Sequence, residues 1–84
     1  MNKREFEILD ELYFLVSFDD LREALCYDRS ELRVILKSLA RKKWVKCYKS
    51  VDEDIEWDEV EFENLFDKYH YLASKEGLIA HNTR

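Results

Sequence analysis

Phe6, Leu9, Leu12, Tyr13 and Val16 recur at helical spacing along the start of the chain, with Ile8 and Leu15 beside them and charged residues between. This spacing predicts a helix over about 3–16. Asn2 followed three residues later by Glu5 has the form of a reciprocal cap, which satisfies the orphan backbone donors of a first turn and places the start of the helix. So broad an apolar stripe on one short helix has to be covered on more than one side. The cover is either the rest of the chain or a second copy, and the latter makes the first helix a candidate homodimer surface.

Ser17 with Asp20, and Asp28 with Glu31, repeat the cap signature. Phe18, Leu21, Ala24 and Leu25 outline a second helix ending near Tyr27. Leu32, Ile35, Leu36 and Leu39 give the inner face of a third, over about 29–43. Short connections force such helices to pack on one another, so the second and third form a helix-turn-helix pair. The third helix carries Ser30, Arg33, Val34, Lys37 and Arg41 on its other face, a cationic strip with one valine in it. Arg41, Lys42 and Lys43 also complement the negative end of the helix dipole.

From Trp44 the period falls to two: Trp44, Lys46 and Tyr48 alternate with Val45, Cys47 and Lys49, as in a half-buried strand. Lys68 to Ala73 has the aromatic content of a returning strand, pairing antiparallel with 44–50. Between them lies an acidic stretch. In it Ile55 and Trp57 alternate with carboxylates like a strand, while Val60, Leu65, Phe66 and Tyr69 suit a helix, and both readings stay open. Ser74 caps a short last helix through Leu78, Ile79 and Ala80, which Gly77 weakens. The expected fold is mainly α with a small β-hairpin (α+β): three helices, a two-stranded antiparallel wing and a short C-terminal helix. One domain over 1–84 is expected, with an acidic wing or insertion at about 51–67.

Composition supports a packed globule, since 46% of the residues are hydrophobic and twelve of the 84 are aromatic. A chain of this size buries only ~60–65% of its unfolded surface, so its core is marginal and association would help. No apolar run approaches the roughly 18 residues of a membrane span. The acidic N-terminal stretch is unlike a secretory signal, so the cytoplasm is the expected compartment. Cys26 and Cys47 are expected to be free, partly buried thiols. With His70 and His81 they lack the paired spacing of a zinc site.

The net charge of −5 hides a segregation that says more than the total: −4 over 1–21, +6 over 22–49, −9 over 50–67 and +2 over 68–84. A basic block in an acidic chain is either a polyanion footprint or a solvated helix face. Asp52, Asp54, Glu56, Asp58 and Glu63 occupy calcium-loop positions, but Trp57 stands where the sharp turn demands glycine. No glycine-rich phosphate loop is possible with a single glycine. Ser17, Ser30 and Ser74 all have capping explanations, and His70 between two tyrosines reads as a packed or surface residue. No enzyme activity and no cofactor are expected.

The run SELRVILKSLARKKWVKCYK resembles the recognition helix and following strand of winged-helix transcriptional regulators of the MarR or PadR kind. YHYLASKEGL resembles the strand and turn that follow their wing. The resemblance implies a transcriptional regulator that binds duplex DNA, the third helix in the major groove and the wing against the backbone. Carried over by position, Ser30, Arg33, Val34 and Lys37 face the groove, Arg33 best placed to grip guanine, and Arg41, Lys42 and Lys46 lie nearer phosphates. This chain departs from the pattern in Glu31, in Val34, and above all in a wing with nine acids, each of which subtracts from phosphate attraction. Either the acidic stretch folds away from the DNA face, onto the basic helix of its own or a neighbouring chain, or the domain is a protein-interaction module. In the second case Asp54, Glu56, Trp57 and Phe62 are candidates to hold a basic partner.

Overall fold

The computed structural model describes residues 2–50 and 52–83. Among them there are five α-helices and four strands: α1 (Lys3–Glu11), β1 (Val16–Ser17), α2 (Phe18–Leu25), α3 (Arg29–Arg41), β2 (Val45–Ser50), β3 (Glu53–Ile55), α4 (Glu59–Leu65), β4 (His70–Ala73) and α5 (Lys75–Asn82). A single 3-10 turn, Phe66–Lys68, joins α4 to β4. The chain is therefore mixed α+β, with more sheet than a two-stranded wing and one helix beyond the expected set.

Caps start the helices where the sequence places them. Asn2 and Glu5 form the reciprocal box, Asp28 accepts from the Glu31 N–H, and Ser74 from that of Gly77. Ser17 accepts from the Asp20 N–H and also ends β1, so one residue closes a strand and opens a helix. The first helix, however, stops at Glu11 rather than Val16. The carbonyl of Leu12 accepts from the Ala73 N–H at 2.9 Å, and Val16 and Ser17 pair with Tyr71 and His70. Pairing with a distant strand thus overrides helical periodicity in the last third of the apolar stripe. The second helix also ends early, at Leu25, because Cys26 turns into the left-handed region.

The sheet is antiparallel, in the order β1-β4-β2-β3. β4 pairs with β2 antiparallel as expected, Val45 opposite Ala73 and Tyr48 opposite His70, but it begins at His70 because Lys68 is taken up in the 3-10 turn. Val16, Tyr71, Cys47 and Ile55 make one row across all four strands on the inner face, and Ser17, His70, Tyr48 and Asp54 the next row on the outer. Both readings of the acidic stretch hold in series, Glu53–Ile55 as an edge strand and Glu59–Leu65 as a helix.

Leu32, Leu36 and Leu39 of α3 are fully buried against Ile8, Leu9 and Leu12, with Phe18, Leu21 and Tyr71 completing the core. Ile8, Leu9 and Leu12 of the stripe are thus covered within the chain, while Tyr13 stays 43% exposed. Phe6 stacks on His81 of α5 at 4.1 Å, and the Tyr13 hydroxyl sits 2.9 Å from His81 Nδ1, which locks α5 onto the end of α1. Of the two thiols, Cys26 is exposed rather than half-buried, and Cys47 is buried.

Between α3 and β2 the chain turns at Lys43, which has φ 64°. The Ser74 hydroxyl donates to its carbonyl at 2.6 Å and holds the turn. A lysine in this region costs about 1 kcal/mol that glycine avoids. Lys43→Gly is therefore expected to raise stability by about 0.5–1 kcal/mol, read as a higher urea midpoint at unchanged slope. A lower midpoint would mean that the lysine side chain itself holds the turn.

Candidate interaction surface on the third helix

α3 offers its basic residues at a spacing of four, Arg29, Arg33, Lys37 and Arg41, so they lie in one row along the helix. α4 runs antiparallel beside that row. Arg41 Nε donates to Glu59 at 2.8 Å, Lys37 pairs with Glu63 at 2.8 Å, Arg33 with Glu63 at 3.0 Å, and Arg29 with Asp67 just past α4 at 2.8 Å. The order of partners descends along α4 as it ascends along α3, giving a seam of alternating charge. Lys37's hydrogen bond, with Arg33 behind it, holds the Glu63 carboxyl below the usual carboxylate range.

Local chemistry explains why the acidic stretch becomes a helix there. Asp58 caps it, accepting from the Glu61 N–H at 3.0 Å, and Glu59 and Glu61 in its first turn favour the positive end of the dipole. Arg41 marks the negative end of α3. Its pairing with Glu59 therefore satisfies two helix ends and two side chains at once.

Ion pairs this exposed stabilise by only ~0–1 kcal/mol each, so they set the register and do not hold α4 down. The anchor is aromatic. Phe62 is 1% exposed, with its ring 5.1 Å from Trp57 and 5.8 Å from Phe66, and Phe66 sits edge-on to Phe18 at 5.2 Å. Lifting α4 away would return Phe62 alone to water at about 2–3 kcal/mol, before Phe66 and Trp57 are counted. Below the seam, the buried Tyr71 hydroxyl donates to the Phe66 carbonyl at 2.6 Å and pins the 3-10 turn.

The residues assigned to a DNA face are thus placed as follows. Arg33, Lys37 and Arg41 come together in a row, each occupied by an α4 carboxylate. Ser30 and Val34 stand on the outward crest beside it, Val34 55% exposed. Lys42 points elsewhere, pairing at 2.6 Å with the buried carboxylate of Glu5, and Lys46 lies 3.8 Å from Asp54 on β3. Among the residues assigned to a basic partner, Asp54 and Glu56 are exposed, Trp57 is half-buried, and Phe62 belongs to the core and is closed to any partner in this arrangement. The candidates that residue patterns missed are Glu59, Glu63 and Asp67. Their i, i+4 spacing, matching that of the basic row, was the signal for them.

Beside this surface, α3's last turn, β2, β3 and the start of α5 enclose a groove of about 800 Å³. Ala40, Val45, Cys47, Ile55 and Trp57 line its apolar part. Burial there pushes the Cys47 thiol up to about 12 from an ordinary value of 9.0. Burial also raises Tyr71, and burial followed by the Glu61 hydrogen bond raises Tyr69. A raised folded-state pKa means stability that is complete below the unfolded value and lost above it. Unfolding free energy is therefore expected to be flat to about pH 9 and then to fall by about 1.4 kcal/mol per pH unit per titrating group, more steeply once tyrosine adds to cysteine near pH 10. Denaturant melts between pH 8 and about pH 11 read this directly, and Cys47→Ala should remove the first part of the decline.

Among the described residues no cluster of three histidine, cysteine or acidic side chains could hold a metal ion, and no helix is long and apolar enough to cross a membrane. No curated protein and no solved structure matches the chain. The family model described as the TFIIE alpha subunit does match, over residues 1–77. That match supports the winged helix and its link to transcription, but not the MarR or PadR kind. The α3 and β2–β4 frame, with an acidic strand and helix inserted before the returning strand, is that of a transcription-related winged helix, and the chain belongs to the TFIIE alpha subunit family.

Proposed function

We propose that the domain serves transcription by contacting protein, and that duplex reading by α3 is suppressed from within the fold. The observation that carries this reading is the seam: Arg29, Arg33, Lys37 and Arg41, the cations a duplex would need, are already paired with Glu59, Glu63 and Asp67, Arg33 and Lys37 sharing Glu63. A duplex would have to displace carboxylates carried on a helix whose anchor is buried phenylalanine. With three carboxylates set against four cations, the row keeps only one net positive charge, and the counterion-release term that supplies most non-specific affinity is correspondingly small. The acidic stretch is also less open to a basic partner than its composition suggests, because half of its carboxylates face α3 or β2.

Fluorescence anisotropy with a short generic duplex at low salt tests the reading. The native chain is expected to show no binding in the micromolar range. Saturable binding that weakens steeply with salt would return the domain to the DNA-reading class, with Arg33 the first residue to examine for base specificity.

A further inference from the structure

We infer that the open edge of β3 is a docking site for an extended basic segment of a partner protein, which joins the sheet as a further strand with apolar side chains set between its cations. The inference rests on the protein-contact reading above and names the partner's chemistry and the place where it binds.

Backbone pairing supplies the site. β3 is the last strand in the order β1-β4-β2-β3 and pairs on one side only, with β2. Its other side presents backbone donors and acceptors that an incoming strand can take up. The opposite edge of the sheet is less available, because β1 has two residues and Ser17 at its end already caps α2. β3 has three, and the chain beyond it is extended again at Asp58, where φ is −137° and ψ 113°.

Charge decides the occupant. Asp52, Glu53, Asp54 and Glu56 are all exposed, with no cation between them. Asp54 has Lys46 at a loose 3.8 Å, and among the described residues Asp52, Glu53 and Glu56 have no ion-pair partner. Lys49, the other cation on the far half of β2, is held 3.8 Å from Glu61 of α4. In the adjoining groove Lys43 is matched by Glu76, so the surplus along the edge stays negative. A second copy of β3 laid here would set carboxylate against carboxylate, and a polynucleotide would set phosphate against them. Lysine or arginine on an incoming strand is attracted instead. Glu11, Asp19, Asp20 and Glu23 are also exposed, but they ride on α1 and α2 and offer charge without an open strand to pair with.

The side chains of β3 set the pattern of the partner. Ile55 lies in the inner row opposite Cys47, and Asp54 in the outer row opposite Tyr48. Ile55 and Trp57 are only half-buried, and Asp54, Glu56 and Asp58 flank them in the chain. A strand beside β3 therefore meets apolar surface on one face and a carboxylate on the other, which selects alternating apolar and basic residues.

The test uses the native domain and a synthetic peptide of about ten residues in which lysine alternates with valine. One control peptide is N-methylated throughout, keeping the charge but losing every amide donor; the other has glutamate in place of lysine. The lysine peptide is expected to bind saturably below about 1 mM, with NMR shifts and slowed amide exchange centred on Glu53, Asp54 and Ile55 and a shift of the Trp57 indole N–H. Both controls should bind about tenfold more weakly or worse. Glu53→Gln with Glu56→Gln, at positions without an ion pair, should leave the fold unchanged and weaken the lysine peptide roughly three- to tenfold. Equal binding by the N-methylated peptide would overturn the inference, showing charge attraction without strand pairing, and equal binding by the glutamate peptide would overturn the choice of a basic partner. Absence of binding, or shifts confined to α1 and α2, would overturn the site while leaving the protein-contact reading in place. Slowed exchange at β3 that grows with protein concentration in the absence of peptide would overturn it in favour of a second copy. Duplex binding along α3 would instead strike the reading on which the inference stands.

Discussion

Replacing Glu59 and Glu63 with glutamine and Asp67 with asparagine is expected to give the domain an affinity for generic duplex DNA that the native chain lacks. The three carboxylates hold Arg29, Arg33, Lys37 and Arg41. Freed, those four cations form a row along one side of α3 and can neutralise about four phosphates, for a slope of log K on log salt near −3.6. Affinity should then fall by roughly 150-fold between about 50 and 200 mM salt, a dependence no native-chain titration would show. The fold should survive, because exposed ion pairs contribute ~0–1 kcal/mol each and Phe62 and Phe66 are untouched. Circular dichroism and the urea midpoint check that point separately. If the folded triple variant still ignores duplex at low salt, charge neutralisation is not what keeps α3 from DNA, and the shape of the α3–α4 layer must be responsible.

Gly77→Ala is expected to destabilise by about 2–3 kcal/mol, against the sign that helix propensity predicts. Propensity alone favours alanine by nearly 1 kcal/mol inside a helix. At this position an added Cβ would stand 2.1 Å from the carbonyl oxygen of Trp44 and 2.9 Å from its carbon. Those are backbone atoms, and the oxygen already accepts from the Ser74 N–H at 2.8 Å, so neither side can give way cheaply. Relief requires α5 to back off from the α3–β2 turn, breaking the Ser74 contacts that brace Lys43. Chemical denaturation reads the loss. A neutral or stabilising result would show that α5 docks loosely at its N-terminus and that the close approach is not required.

The glycine shows how a residue can be read correctly in kind and wrongly in purpose. Its cost to an isolated helix is real, and only the approach of Trp44, thirty-three positions away in the chain, turns that cost into a requirement. The end of α1 is a similar case. Tyr13 and Val16 continue the helical period, yet Ala73 and Tyr71 supply the hydrogen-bond partners that draw the chain into β1. Local pattern has no information about a partner strand more than fifty residues on.

The candidate surface divides in the same way. Arg33, Lys37 and Arg41 were legible as one row, because i, i+4 spacing puts residues on one helix face whatever the surroundings. Their being already paired was only half legible. The acidic stretch had the charge and the spacing to cover them, but neither says on which side of the sheet a fourth helix will lie. Phe62 looked like a contact residue among carboxylates and proved to be the anchor that places those carboxylates.

What the chain's residues determined by themselves is therefore local: the capped starts of α1, α2, α3 and α5, the buried face of α3, the antiparallel partnership of the strand after α3 with the strand before α5, and the segregation of charge. Capping, periodicity and alternation act between neighbours a few residues apart, so they can be read from order alone. What the tertiary structure decided is which surface remains available. Packing Phe62 and Phe66 against Phe18 and Trp57 lays α4 along the basic row, converting the strip that most resembled a DNA face into an internal seam. That outcome depends on where buried aromatic rings find room in three dimensions, a property of the assembled core that no stretch of the sequence carries.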